Sequence, residues 1–174
     1  MKTSQLLMLL FAVSIFASCS RESQIENDGL TVDRVVITPT GECFSASLMA
    51  GQHMDAGTLL VTENPNGDTV VRYETSNGWT LDAVHLYYGD CAEIPTTGAG
   101  NPKIGHFPVN VELSVGTTTF EHTIESLDGS TFTGCLMAHA VVNNGEQQET
   151  AWAEGESFGG NSWAMYIEYS GCTN

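Results

Sequence analysis

The chain has 174 residues, 41% of them hydrophobic and 9% aromatic, and sets 21 acidic residues against five basic ones. A formal charge of −16 with no cluster of Lys or Arg repels phosphate backbones, which excludes nucleic-acid binding. Eighteen Gly and five Pro are too few for a collagen-like or low-complexity chain, so the composition predicts a folded body of one domain.

Residues Leu6 to Phe16 form an apolar run of 11 interrupted only by Ser14, preceded by Lys2 and followed by Ala17-Ser18-Cys19. The run has the length of a signal-peptide core and falls short of the ~20 residues that a spanning helix needs. Phe16-Ala17-Ser18-Cys19 resembles the bacterial lipoprotein consensus, with Phe16 where that family usually carries an aliphatic residue. The resemblance implies that residues 1–18 are removed and that Cys19 is acylated and becomes the first residue of the mature chain. Ordinary secretory cleavage at a nearby small residue is the competing reading. Loss of Lys2 leaves four basic against 21 acidic residues, a formal charge of −17 that anionic headgroups repel. Membrane attachment then rests on acyl chains, at ~0.8 kcal/mol per buried methylene. Residues 19–29 are polar and aperiodic and read as a lipidated tether, and the globular domain is expected over 30–174. Ser20 after the cysteine is compatible, in lipoproteins generally, with outer-membrane sorting, on the cell surface or the periplasmic face.

From Leu30 onward the pattern is short β-type runs bounded by Gly, Asn, Asp and Pro. The predicted strands are Thr31–Thr38, Cys43–Ala50, Gly57–Glu63, Asp68–Glu74, Thr80–Tyr88, Asn110–Leu113, Thr118–Ile124, Thr133–Val142, Glu149–Ala153 and Trp163–Tyr169. Asn64-Pro65-Asn66-Gly67 gives the clearest hairpin, because Asn-Gly reaches positive φ at little cost. About ten such strands predict an all-β, antiparallel two-sheet sandwich. Cys43, Cys91, Cys135 and Cys172 form an even set in an exported chain, and two disulfides are expected. Cys43 opens an early strand and Cys172 closes the last one, while Cys91 and Cys135 lie at the margins of long central strands. The expected pairs are therefore Cys43–Cys172 and Cys91–Cys135.

The blocks Ala50-Gly51-Gln52, Asp55-Ala56-Gly57-Thr58, Gly78-Trp79-Thr80-Leu81, Val84-His85-Leu86-Tyr87, Gly100-Asn101-Pro102-Lys103-Ile104-Gly105-His106-Phe107-Pro108, Ala138-His139-Ala140-Val141-Val142 and Glu149-Thr150-Ala151-Trp152-Ala153-Glu154-Gly155 follow one another from Cys43 to Tyr169. This series resembles a domain common in secreted proteins and lipoproteins of Bacteroidetes-type bacteria. The resemblance implies an exported β-rich module and carries over no catalytic residue.

Two segments lack strand character, Asp90 to Pro108 and Glu154 to Ser162, and loops on a rigid scaffold are where recognition concentrates. They are expected to share one end of the sandwich and to hold a ligand through Asp90, Asn101, His106, Phe107 and Glu154, with His106 and Phe107 as a stacking pair. Calcium is a candidate ion through Asp55, Asp90, Glu93, Asn101 and Glu154, although no EF-hand spacing occurs. His85 and His139 sit inside apolar strands and read as buried neutral rings; facing each other, they would hold a divalent metal with Asp82 or Glu149 as third ligand. Asp82, Glu149, Glu154 and Glu156 are the acids nearest to aromatic residues and the candidates for glycoside hydrolysis. No Gly-x-Ser-x-Gly elbow marks a serine hydrolase. Trp79, Trp152 and Trp163, with Tyr73, Tyr87, Tyr88, Tyr166 and Tyr169, supply core packing or, where exposed, a platform for sugar rings. The resulting expectation is a non-catalytic binding or adhesion module, held at the membrane by lipid and directed at a glycan or a surface protein. A small hydrolase and a structural component of a surface assembly are the alternatives.

Overall fold

A computed structural model describes residues 41–127 and 129–172. The proposed signal peptide, Cys19, the tether and the expected strand Thr31–Thr38 lie outside the described residues. Ten strands follow in chain order: β1 (Glu42–Ala50), β2 (Met54–Glu63), β3 (Thr69–Thr75), β4 (Thr80–Gly89), β5 (Val109–Glu112), β6 (Thr119–Ile124), β7 (Gly134–Asn143), β8 (Gln148–Ala153), β9 (Glu156–Ser157) and β10 (Met165–Tyr169). Among the described residues the helical elements are two short 3₁₀ turns, Cys91–Glu93 and Ile104–His106.

The local chemistry of the β2–β3 hairpin follows from its Asn residues. The Asn64 side-chain oxygen accepts from the Asn66 and Asp68 amides at 2.9 and 3.0 Å, and Gly67 takes φ +85° where the chain reverses. In β3 the apolar face alternates strictly, with Thr69, Val71 and Tyr73 buried while Val70 and Arg72 are half-buried and Glu74 is exposed. β4 and β7 behave differently. Residues Ala83–Tyr87 and Cys135–Ala140 are buried without a break, the mark of strands covered on both faces.

Pairing is antiparallel throughout, along the path β5-β4-β7-β8-β1-β2-β3-β6, with β10 added to the lower part of β7 and β9 to β10. The antiparallel all-β expectation holds, and the sandwich is replaced by one curled half-barrel of eight strands. The reason is that β1 pairs with both β2 and β8 and so joins what would otherwise be separate sheets. Irregular register in β1 and β4 lets the sheet bend there. The bend brings β3 and β6 over β4: the Tyr73 hydroxyl donates to the His85 carbonyl at 3.3 Å, and the Tyr88 and His122 rings lie 5.3 Å apart.

The concave face encloses the main core, including Leu48, Leu59, Val61, Tyr73, Leu81, Leu86, Leu136 and Val142. A second, smaller core lies on the opposite face of β4, β7 and β8, where Tyr87, Met137 and Trp152 meet Ile94, Phe107 and Ala164. The two long irregular segments supply its cover. Both expected disulfides are present, Cys43–Cys172 and Cys91–Cys135. The first ties the start of β1 to the chain just after β10, and the second fastens the cover to β7.

Candidate functional site

The best-formed cleft is a cavity of about 500 Å³ at one end of the half-barrel, lined by Tyr88, Thr123, Ile124, Glu125, Leu127, Ser130, Thr131 and Phe132. Its size falls in the range of small-ligand pockets, and barrel mouths are a usual place for them. β4 delivers Tyr88, β6 delivers Thr123 and Ile124, and the connection from β6 to β7 supplies the rest. That connection is held by one hydrogen bond to the β2–β3 hairpin and two within itself. The Ser126 amide donates to the Asp68 carboxylate at 2.8 Å, the Ser126 hydroxyl to the Ser130 carbonyl at 3.0 Å, and the Ser130 hydroxyl to the Leu127 carbonyl at 2.8 Å. The Ser126 amide, helped by the Asn64 side chain, holds the Asp68 carboxyl below its ordinary range.

The cleft wall is aromatic. Tyr88 stands edge-on to Phe132 at 6.2 Å, and Phe132 stacks on Tyr169 at 6.1 Å. Leu127 is 80% exposed at the rim, so its apolar surface is free to contact a ligand. Behind the wall, His122 Nε2 is buried with no hydrogen-bond partner among the described residues, and the Tyr169 hydroxyl is buried beside the Thr69 side chain. Burial lowers the His122 pKa and raises that of Tyr169, which also feels Glu63.

Of the residues expected from sequence, only Tyr88 lines this cleft. The segments 90–108 and 154–162 do meet, since the Asn161 amide donates to the Asn101 side-chain oxygen at 2.9 Å. They lie across the outer face of the sheet, however. Phe107 is 4% exposed and packs 5.7 Å from Tyr87 in the second core, so it is not the stacking surface expected of it. His106, Asp90 and Glu154 are exposed and Asn101 is half-buried. The Asp90 carboxylate caps the 3₁₀ turn by accepting from the Ala92 amide, and its carbonyl accepts from the Tyr87 hydroxyl at 2.6 Å. The Trp residues belong to packing: Trp79 and Trp152 are buried in the first and second cores, and Trp163 is half-buried against the second.

The candidate ion and acid sets are dispersed. Among the described residues, the one group of three or more His, Cys, Asp or Glu with mutually close ligand atoms is Cys43, Glu63 and Cys172, whose sulfurs are joined to each other. The acids named for calcium, Asp55, Asp90, Glu93 and Glu154, form no such group. Asp55 instead accepts from the Gly57 amide at 2.9 Å. Asp82 accepts from Gln148 at 2.8 Å, and Glu156 accepts from the Tyr166 hydroxyl at 3.0 Å, so two of the four hydrolase candidates are held by neighbouring side chains.

His85 and His139 do face each other, as exact register partners on β4 and β7 with Nδ1 atoms 3.1 Å apart. The His139 ring meets Trp152 edge-on at 4.7 Å. Burial, together with the neighbouring His85 ring, pushes the His139 pKa down to about 3, and burial lowers that of His85 against the opposing pull of Glu112. Both shifts favour the neutral ring. Neither Asp82 nor Glu149 completes a group with them. In comparisons with protein-family models, curated proteins and solved structures, nothing matches the chain.

Proposed function

We propose that this chain is a non-catalytic binding module, held at the outer membrane by a lipidated Cys19, that takes a neutral glycan or a similar polyhydroxylated surface component in the cleft at Tyr88. The observation that carries the reading is the cleft itself, an aromatic and aliphatic wall beside the hydroxyls of Thr123, Ser130 and Thr131 and the carboxylate of Glu125. A sugar ring offers an apolar face to stack on such a wall and hydroxyls to exchange hydrogen bonds with such neighbours. Charge supports a neutral ligand over an anionic one. Residues 41–172 contain only Arg72 and Lys103 as basic residues, and Arg72 lies between Glu74 and Glu121 at 3.4 and 3.8 Å. The resemblance to exported Bacteroidetes-type modules and the lipoprotein-like leader agree with presentation at the cell surface or in the periplasm.

A glycan array probed with the purified protein, with and without chelator, tests the reading. Binding should survive chelator, should fall at least tenfold in Leu127→Ser and Tyr88→Ala, and should be unmoved in His106→Ala. Loss confined to variants of Asp90, Asn101, His106 and Glu154 would place the site on the outer loops instead. Turnover of any array glycan would favour the hydrolase alternative. The structural-assembly alternative draws on β5 and β6, the terminal strands of the path, each hydrogen-bonded on one side to a single strand.

A further inference from the structure

Across the convex face of the sheet, strand register sets four side chains in one row: Asn110 on β5, His85 on β4, His139 on β7 and Trp152 on β8. The row marks a boundary in the fold. One step along the strands, Tyr87 and Met137 lie within the second core under Phe107; one step the other way stand the small residues Ala83 and Val141 and the exposed Thr150. His139 is 2% exposed and His85 8%, so both rings are buried and His85, beside the exposed Asn110, is the less enclosed of the two.

From this geometry we infer that His85 and His139 form a two-imidazole chelate for a transition-metal dication of the Zn²⁺, Cu²⁺ or Ni²⁺ class. Imidazole nitrogens bind these ions at about 2.0–2.1 Å, and two nitrogens 3.1 Å apart subtend about 95–100° at an ion so placed. That angle lies between the square-planar and tetrahedral values which these ions accept. The antiparallel ladder fixes the separation, and the Trp152 edge restrains one ring, so little side-chain freedom is lost on binding. The remaining positions fall to water. Hard cations such as Ca²⁺ and Mg²⁺ prefer oxygen sets and gain nothing from this pair. The ring-to-ring hydrogen bond is the alternative use of the same two atoms, and a metal would replace it.

The test is a Zn²⁺ titration of the purified protein by calorimetry, with Ca²⁺ as the comparison ion. One equivalent of Zn²⁺ should bind and Ca²⁺ should not compete. His85→Asn should weaken Zn²⁺ binding at least tenfold, while His53→Asn and His106→Asn, at exposed histidines, should leave it unchanged. Because a substitution at the more buried His139 risks misfolding, the second measurement uses the unmodified protein: imidazole ¹⁵N resonances of His85 and His139 should shift together at one equivalent of Zn²⁺, ahead of those of His53, His106 and His122. No uptake of Zn²⁺, uptake that His85→Asn leaves intact, or shifts confined to the other three histidines would each overturn the inference.

Discussion

Removing the Cys91–Cys135 bridge should cost about 4 kcal/mol, and removing Cys43–Cys172 about 5 kcal/mol. The figures come from the chain entropy that each link denies the unfolded state, taken over sequence separations of 44 and 129 residues. Against a total stability of ~5–15 kcal/mol, either loss is a large share. The choice of replacement sharpens the test, because Cys135 is inaccessible to solvent within the second core while Cys91 is exposed. The pair Cys91→Ala and Cys135→Ala removes the link and leaves an apolar methyl in place. The pair Cys91→Ser and Cys135→Ser also buries a hydroxyl with no partner in view, which adds ~1–3 kcal/mol. Equilibrium urea unfolding reads all three variants. With a slope of ~2 kcal/mol per molar, the Ala pair should shift the midpoint by about 2 M and the Ser pair by more. If the Cys43 and Cys172 Ala pair costs less than the Cys91 and Cys135 Ala pair, loop closure is not the dominant source of stabilisation. If Ala and Ser pairs coincide, Cys135 is not enclosed as described.

Four further outcomes are expected. Asp68→Asn should lower stability at neutral pH and not at strongly acid pH: the folded-state pKa is depressed below 3.8, so the stabilisation is present above that value and is lost as pH falls through the folded one, and a deficit that stays constant with pH would refute it. Tyr73→Phe should cost ~1 kcal/mol in urea unfolding, since it removes the donor to the His85 carbonyl that spans the interior from β3 to β4; no change would mean that the bond contributes nothing to closing the curl. Gly57→Ala should cost ~2 kcal/mol or more, because φ +146° disfavours any side chain and a Cβ would meet the backbone of Glu74 and Thr75 on β3; a melting temperature equal to that of the parent would show that the strands can part there. Cys19→Ala should release the protein from membranes, and an intact mass without acyl chains in the parent would remove the lipid anchor from the proposal.

Strand positions were legible because each carries its own signal. The alternation in Thr69–Thr75 and the Asn-Pro-Asn-Gly hairpin are local, and local signals placed most boundaries within a residue or two. β2 begins at Met54, before the expected Gly57, because the turn preceding it is tighter than its polar residues suggest: Gly51 and Gln52 both take positive φ, and His53 bonds back to Ala50. β9 is two residues long and carries no period that a sequence could show. Sheet curl was not legible, since it depends on β1 pairing on both edges, and partner choice is a property of the whole chain. The encounter of His85 with His139 depends on that same pairing. The cleft left one trace in the sequence, Leu127, an isolated leucine among Ser, Asp and Gly.

The irregular segments have a structural use besides any recognition, and the reason for it is physical. Continuous burial of Ala83–Tyr87 and Cys135–Ala140 requires a layer on the convex face. Among the described residues the only regular elements there are two 3₁₀ turns, Cys91–Glu93 and Ile104–His106, and the two-residue β9, so largely irregular chain has to supply that layer. Such a cover must bring apolar side chains and satisfy its own backbone. Ile94, Ile104, Phe107, Phe158 and Trp163 meet the first demand. The second is met within the segments: the Thr97 amide donates to the Asn101 carbonyl, Lys103 to Pro95 and Phe158 to Ala164, at 2.8–2.9 Å. A long loop with an aromatic or branched aliphatic residue every few positions is therefore better read as a missing layer than as a recognition loop. The connection from β6 to β7, with its exposed Leu127, contributes nothing to that second core and lines the proposed cleft instead.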